Sequence, residues 1–355
     1  MHARVERLLQ HLERLGLDSC LISAPENVRY FSRFRGGGAL LFCHGAGMIL
    51  TDSRFTEQAQ REAPEFEVLE YAVGGFEALV GRVLQDKHGC AVGWEDDVLS
   101  VVAARSLAEA CPGVEWTSIA RVGLTIRSIK DAEEIATLRR ACWVTDRGFE
   151  YLTERIRPGV TEREICLDIC DYMAREYGSA MACCGIVAAG ENGSMPHAIA
   201  GDHVIAQGEA VTVDFGANID GYYADMTRTF AVGTLSSQLQ ELYDIVLEAQ
   251  LRAVEALQPG KLAREVDAVA RNIIAERGYG DYFGHGLGHG VGLQVHEAPR
   301  LNTTSGEQLL PGMVVTIEPG IYVPGLGGVR IEDTCLVTET DCEVLFTSPK
   351  TLITL

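Results

Sequence analysis

Four carboxylates and three histidines in the C-terminal half of this 355-residue sequence interrupt segments that are otherwise apolar or glycine-rich. Val211-Thr212-Val213-Asp214-Phe215-Gly216, the turn Asn218-Ile219-Asp220-Gly221 and Tyr222-Tyr223-Ala224-Asp225-Met226-Thr227-Arg228 read as strand, turn, strand. A fold about Ile219 and Asp220 sets Asp214 opposite Asp225; a fold about Asp220 and Gly221 makes them diagonal neighbours. Either way both carboxylates point to one face. Like charges so placed repel unless a cation lies between them. An exposed pair on a solvated edge is the alternative, and the Val and Phe flanking Asp214 argue against it.

Glu318 in Val314-Val315-Thr316-Ile317-Glu318-Pro319-Gly320 and Glu332 in Gly328-Val329-Arg330-Ile331-Glu332-Asp333 repeat the pattern, joined by a Pro- and Gly-rich turn at 324–328. A buried, unpaired carboxylate is costly, so each needs a partner. Arg330 is one candidate partner, a cation the other. Between the pairs, Gly284-His285-Gly286-Leu287-Gly288-His289-Gly290-Val291-Gly292-Leu293-Gln294-Val295-His296 places three of the nine histidines within twelve residues. The interleaved glycines let the backbone approach a ligand closely.

Carboxylates with one or two imidazoles suit Mn²⁺, Co²⁺, Fe²⁺ or Zn²⁺ better than a closed structural zinc site. Four carboxylates exceed the need of one catalytic zinc. Two ions roughly 3.5–4 Å apart fit better, and activation of a water for hydrolysis is their natural chemistry. HExxH, Walker and GxSxG motifs are absent; Gly284–Gly292 resembles a phosphate loop but carries histidines and no Lys.

The elements around these residues fall into two parts. Up to about residue 125, helical patterns (1–16, 53–62, 74–87, 99–111) alternate with strands at Ser19–Ser23, 66–71 and 90–94 and with a hairpin at Ala39–Thr51. This predicts an α/β N-terminal domain, a sheet covered by helices, over 1–125. A long helix from about 131 to 155, capped by Ser128 or Asp131, opens a second domain over 126–355. Within it, Arg157-Pro158-Gly159-Val160-Thr161-Glu162-Arg163-Glu164-Ile165 is echoed by Gln258-Pro259-Gly260-Lys261-Leu262-Ala263-Arg264-Glu265-Val266. Thr161 and Glu164 form a capping box. A duplication would give two similar α+β halves with a cleft between them; chance is the alternative.

Composition narrows the partners. Lys and Arg number 30 against 50 Asp and Glu, a formal charge of −20, which disfavours nucleic acid and anionic membranes. The uncharged stretches 36–51 and 178–190 fall short of the ~20 apolar residues a bilayer requires. Residues 1–17 read as an amphipathic helix, not a signal peptide. Eleven cysteines without a CxxC pair read as reduced and mostly buried thiols, so a cytoplasmic setting is expected.

With these residues placed, the sequence resembles the metallopeptidases of the pita-bread fold: methionyl aminopeptidase, aminopeptidase P and prolidase. The resemblance implies an α+β catalytic domain with an internal pseudo-two-fold repeat, preceded by a creatinase/prolidase-like N-terminal domain. It further implies two divalent ions, Mn²⁺ first and Co²⁺ or Zn²⁺ as alternatives, held by Asp214, Asp225, His289, Glu318 and Glu332. Glu318 would also carry the proton from water to the leaving nitrogen. His296 would stabilise the tetrahedral intermediate or steady the substrate, and His197, in Met195-Pro196-His197, matches a histidine near the scissile bond. His285 and Tyr322 match substrate-side positions, Tyr322 from behind the ligands, and Arg330 an arginine that orients ligand carboxylates. Arg300 sits where a prolidase could hold a dipeptide's C-terminal carboxylate.

The N-terminal half points to the Xaa-Pro members, with short proline-containing peptides as substrates and a homodimer as the assembly. Gly36-Gly37-Gly38 departs from the Gly-Ser step common there. The alternatives are an aminopeptidase of this fold without proline preference and a non-catalytic binding protein that has lost its metals.

Overall fold

The computed structural model describes residues 3–73, 75–179 and 184–355. The chain divides into two compact units, Met1–Arg127 and Ser128–Leu355. The first contains α1 (Ala3–Arg14), β1 (Ser19–Ile22), α2 (Pro25–Ser32), β2 (Ala39–Cys43), β3 (Ala46–Thr51), α3 (Thr56–Glu62) and β4 (Glu67–Glu70). It continues with α4 (Phe76–Asp86), β5 (Ala91–Trp94), α5 (Val101–Ala110), β6 (Glu115–Ser118) and α6 (Val122–Ser128). One six-stranded sheet in the order β4-β3-β2-β1-β5-β6 organises it. Strands β1, β2 and β3 are antiparallel neighbours, and β4, β5 and β6 join in parallel.

All five residues of β2 are buried, which is why Ala39-Leu40-Leu41-Phe42-Cys43 is continuously apolar rather than alternating. Helices α2 and α6 and strand β6 were not expected from the sequence. The reason for α2 is long-range: Pro25 opens it, and the buried Glu95 carboxylate accepts Ser23 N–H at 2.6 Å and Ala24 N–H at 2.7 Å ahead of its first turn. Neither residue 23 nor 24 supplies a capping side chain, so the local start signal is reduced to Pro25 at the first helical position.

The second unit begins with α7 (Ala132–Arg155), whose N-cap is Asp131 in a capping box with Glu134. After α8 (Glu162–Tyr177) come β7 (Cys184–Ala189), β8 (Ala210–Phe215), β9 (Asn218–Ile219), β10 (Tyr222–Tyr223) and β11 (Met226–Ala231). Then follow α9 (Ser237–Ala256), α10 (Ala263–Glu276), β12 (Gly288–Gly290), β13 (Glu297–Leu301), β14 (Val314–Ile317), β15 (Gly320–Val323), β16 (Gly327–Arg330), β17 (Asp333–Val337), β18 (Cys342–Val344) and β19 (Ile353–Thr354). The larger sheets run β19-β11-β8-β7 and β13-β12-β14-β17-β18. Each has its own core: residues of α7, α8, β8 and β11 form one, and residues of α9, α10, β14 and β17 the other.

The sequence echo is a structural repeat. Gly159 N–H donates to Ile205 O at 2.9 Å, and Gly260 N–H to Leu309 O at 2.7 Å. Thr161 bridges Val204 as Leu262 bridges Gln308. Glu164 takes the Thr161 N–H at 2.8 Å, and Glu265 takes the Leu262 N–H at 3.0 Å. Leucine has no acceptor, so only half of the capping box survives in the second copy.

Among the described residues no helix is long and apolar enough to cross a membrane. Cys20, Cys43, Cys111, Cys142 and Cys335 are buried thiols, as expected, while Cys90 is exposed; Cys183 lies outside the described residues.

A directed chain of hydrogen bonds supports α2. Arg127 Nη1 donates to Asn27 Oδ1 at 2.7 Å, and Asn27 Nδ2 donates to Glu95 Oε1. The guanidinium can only donate, so the Asn27 amide cannot turn over, and the chain must end on an acceptor. Glu95→Gln places an amide donor against Asn27 Nδ2, and Glu95→Ala leaves buried donors unpaired. Chemical denaturation should show Glu95→Gln less stable by roughly 1–3 kcal/mol and Glu95→Ala by more.

Candidate metal centre and active site

The hairpin carrying the aspartates turns at Asp220 and Gly221, with φ of +46° and +74°, the left-handed pair that a two-residue hairpin turn needs. This is the second of the two registers considered. Thr227, not Asp225, stands opposite Asp214, and Asp225 is the diagonal neighbour. The glutamates follow a different construction from the one expected: neither interrupts a strand. Ile317 pairs with Asp333 and Gly320 with Arg330, so two short ladders share one register. Glu318 and Glu332 face each other at the break, where Pro319 cannot donate to a ladder.

All five residues line one cavity of about 240 Å³, together with Pro196, His197, His285, Gly286, Gly288, His296, Arg300, Asn302 and Arg330. Asp225, His289 and Glu332 form the tightest group, each offering one ligand atom within 4.8 Å of the others. His289 Nε2 lies 3.2 Å from Glu318 Oε1 and 3.7 Å from Asp225 Oδ2. Its Nδ1 faces Gly290 O at 3.1 Å, which leaves Nε2 as the neutral ring's acceptor and the atom directed at the carboxylates. Asp214 Oδ2 takes a hydrogen bond from Arg330 Nη2 at 2.8 Å.

Burial pushes the carboxyls of Asp225 and Glu332 well above the usual range, helped by repulsion from Asp214 and Glu318 at Asp225 and from Asp225, Glu318 and Asp214 at Glu332. Glu318 behaves oppositely. Burial would raise it, but the hydrogen bond and charge of His289, with His285 and Arg330, hold it below. Burial would lower His289, yet Glu318 and Asp225 outweigh that and raise it.

Tyr322 is buried and stands behind the cavity wall rather than on it. Its hydroxyl accepts from Arg330 Nη1 at 2.9 Å and lies 2.9 Å from His285 Nε2. His285 Nδ1 donates to Gly286 O at 2.8 Å, so Tyr322 donates to Nε2, and the chain runs from Arg330 through Tyr322 to His285. Burial lowers the pKa of His285 and, with the His289 and Arg300 charges, that of His296. His197 and Arg300 are exposed at the cavity.

Sequence reasoning missed Asn302, which carries no signal of its own, and two buried threonines. Thr316 Oγ1 donates to Glu318 Oε1 at 3.2 Å and accepts His289 N–H at 3.0 Å. Thr227 Oγ1 donates to Glu332 Oε2 at 2.6 Å. Each lies two residues from a carboxylate, on the same strand face, and that spacing was the available signal.

A divalent cation fits this donor set. Glu332 Oε1 is buried with no hydrogen-bond partner, and a cluster of oxygen ligands with one imidazole is hard-to-borderline in character. Comparison with known proteins agrees. Residues 136–339 match the model of metallopeptidase family M24, and residues 4–129 that of the creatinase/prolidase N-terminal domain. The chain belongs to metallopeptidase family M24.

It is 37% identical, over 99% of its length and 100% of the relative's, to a Xaa-Pro dipeptidase of Pyrococcus furiosus. A solved Xaa-Pro dipeptidase from Bacillus anthracis superposes with a TM-score of 0.95 at 40% identity, covering 99% of each chain. An X-Pro aminopeptidase from Thermotoga maritima superposes with a TM-score of 0.88 at 35% identity, covering 97% of this chain and 100% of that one. The chain thus carries an N-terminal α/β unit of the creatinase/prolidase type and a pita-bread catalytic unit with its internal repeat, and M24 metallopeptidases use divalent metals.

The carboxylate repulsion has a measurable consequence in chelator-treated protein. The carboxyls of Asp225 and Glu332 are raised in the folded state, so stability is full below the unfolded-state pKa and is lost as pH rises through the folded values. Melting temperature should therefore fall from pH 5 to pH 8, and Glu332→Gln should flatten that fall. Equal slopes for both proteins would contradict the repulsion.

Proposed function

We propose that this M24 metallopeptidase hydrolyses the Xaa-Pro bond at the N-terminus of short peptides, dipeptides included. The convergence of four carboxylates and His289 on one cavity carries the reading, a donor set suited to paired divalent ions and the hydrolysis they support. The naming of full-length relatives as Xaa-Pro dipeptidases supports it.

Asp214, Asp225, His289, Glu318 and Glu332 would hold two divalent ions, with Mn²⁺ the first choice. When bound, such ions supply Lewis acidity and bring the pKa of a water toward neutrality. Glu318 takes a proton from the attacking water on a carboxylate oxygen. It then delivers that proton to the prolyl nitrogen as the C–N bond breaks. The nitrogen of the Xaa-Pro bond carries no hydrogen, so it leaves as a secondary amine once it has taken that proton.

His296 and His197, both on the cavity wall, would donate toward the developing oxyanion, a contribution of roughly 2.7–4 kcal/mol for one such donor. His285, aligned through Tyr322, faces the substrate. Arg300, at the cavity wall and opposite His289 in the β12–β13 pairing, presents a cation to the C-terminal carboxylate of a dipeptide. A cytoplasmic location follows from the buried reduced thiols, and a homodimer from the resemblance to Xaa-Pro peptidases.

Hydrolysis of Xaa-Pro, Xaa-Pro-Xaa and Xaa-Ala peptides by Mn²⁺-loaded and chelated protein tests the reading. Metal-dependent cleavage confined to the proline substrates is expected, with the dipeptide preferred. Arg300→Met should raise KM for the dipeptide more than for the tripeptide, and Glu318→Gln should lower kcat at least a hundredfold, the lower range for a general base. Comparable cleavage of Xaa-Ala would replace the proposal with a general aminopeptidase; no cleavage by folded, metal-loaded protein would replace it with a binding protein.

A further inference from the structure

We propose that Thr227 is a positioning residue for the metal centre: its hydroxyl holds one oxygen of Glu332 so that the other is presented as a metal ligand. The inference rests on the reading of the carboxylate cluster as a metal site. Thr227 is fully buried at the start of β11, directly opposite Asp214, so its side chain lies on the face that carries that carboxylate. Its oxygen is engaged from two sides. Arg330 Nε lies 3.0 Å away and Glu332 Oε2 lies 2.6 Å away.

With Glu332 ionised, as a metal ligand must be, the direction of both bonds is fixed. A guanidinium only donates, so Thr227 Oγ1 accepts from Arg330, and its single proton is left for Glu332 Oε2. Glu332 Oε1 then has no hydrogen-bond partner although it is buried. The hydroxyl engages one lone pair of Oε2 and so fixes the plane of the carboxylate, while Oε1 is left to a cation. The backbone fixes the same geometry, since Glu332 N–H donates to Thr227 O at 3.1 Å. Arg330, the donor to Thr227, also donates through Nη2 to Asp214. Thr227 therefore couples the orientation of a ligand on one hairpin to an arginine already bound to a ligand on the other. A β-branched side chain suits this position because its χ1 is stiff in a strand, whereas serine is freer to rotate.

The test compares the parent with Thr227→Val, which keeps the shape and removes the hydroxyl, and with Thr227→Ser, which keeps the hydroxyl. Metal-free proteins are titrated with Mn²⁺ by calorimetry and with Co²⁺ by its visible absorption. Thermal melting in chelator monitors the fold. Thr227→Val should bind metal roughly 10–100-fold more weakly, the usual cost of losing a group that orients a ligand, and should shift the cobalt bands. Thr227→Ser should return most of the affinity and the parent spectrum. A merely structural threonine would lower the melting temperature and leave both metal readouts unmoved, which overturns the proposal. Should Thr227→Val not fold, Thr227→Ala is measured in the same way. A parent that takes up neither ion overturns the metal-site reading itself, and this proposal with it; a parent that binds while the folded variant binds equally well overturns only the role of Thr227.

Discussion

Repulsion among buried carboxylates is the constraint that organises the catalytic unit. Asp214, Asp225, Glu318 and Glu332 line one cavity with little solvent to screen them, and the protein supplies a single strongly placed countercharge. Arg330 spends its donors on Asp214, Thr227, Tyr322 and Pro196 O. Arg330 and His289 do not neutralise four carboxylates, and Arg300 is exposed at the cavity, so the site is complete only with cations. Such an arrangement is expensive to fold. Deep cores on either side, one for each half of the repeat, offset that expense.

Duplication explains how the carboxylates come to face each other. Asp214 and Glu318 stand 104 residues apart, as do Thr212 and Thr316; the threonines occupy matching places on β8 and β14, while Asp214 lies near the end of β8 and Glu318 just past the end of β14. The Pro-Gly turns and the entries to α8 and α10 stand 101 apart with the same hydrogen bonds. Two copies of one α+β half, each bringing an acidic pair, meet where neither could bury its charge alone. The halves then diverged in detail. The first keeps Thr161 as a full cap; the second has Leu262 there but gains the Gly-rich segment that carries His289.

Much of this was legible in the sequence, for identifiable reasons. A carboxylate in an apolar run is conspicuous because its burial is costly without a partner, so the four acidic candidates stood out, and His289 did so through its glycine-rich setting. Helix α7 announced itself through Asp131 and Glu134, a wholly local signal. Helix α2 did not, because its cap comes from Glu95, about seventy residues away. The register of the aspartate hairpin was ambiguous by one step. It was resolved by Asp220 and Gly221 both adopting positive φ, which alternation alone does not reveal. Tyr322 was expected on the substrate side but behind the ligands, and it backs Arg330 and His285; strand alternation gives a face, while the depth of the layer came only from the resemblance. The threonines were overlooked because a buried threonine in a strand is ordinary, and only the direction of its proton makes Thr227 informative.

That matter of direction extends to how the site divides its tasks. Four carboxylates in one cavity do not share a single protonation behaviour. Contact with His289 lowers the pKa of Glu318, while burial and the neighbouring anions push Asp225 and Glu332 the other way. The residue proposed to accept and return a proton is thus the one whose anion its surroundings favour. The pair with the largest unmet demand for positive charge is also the pair that, with His289, offers converging ligand atoms. Environment alone, acting on chemically similar side chains, separates their protonation behaviour. His289 performs the separation, since the same Nε2 edge that meets Glu318 also completes the group with Asp225 and Glu332.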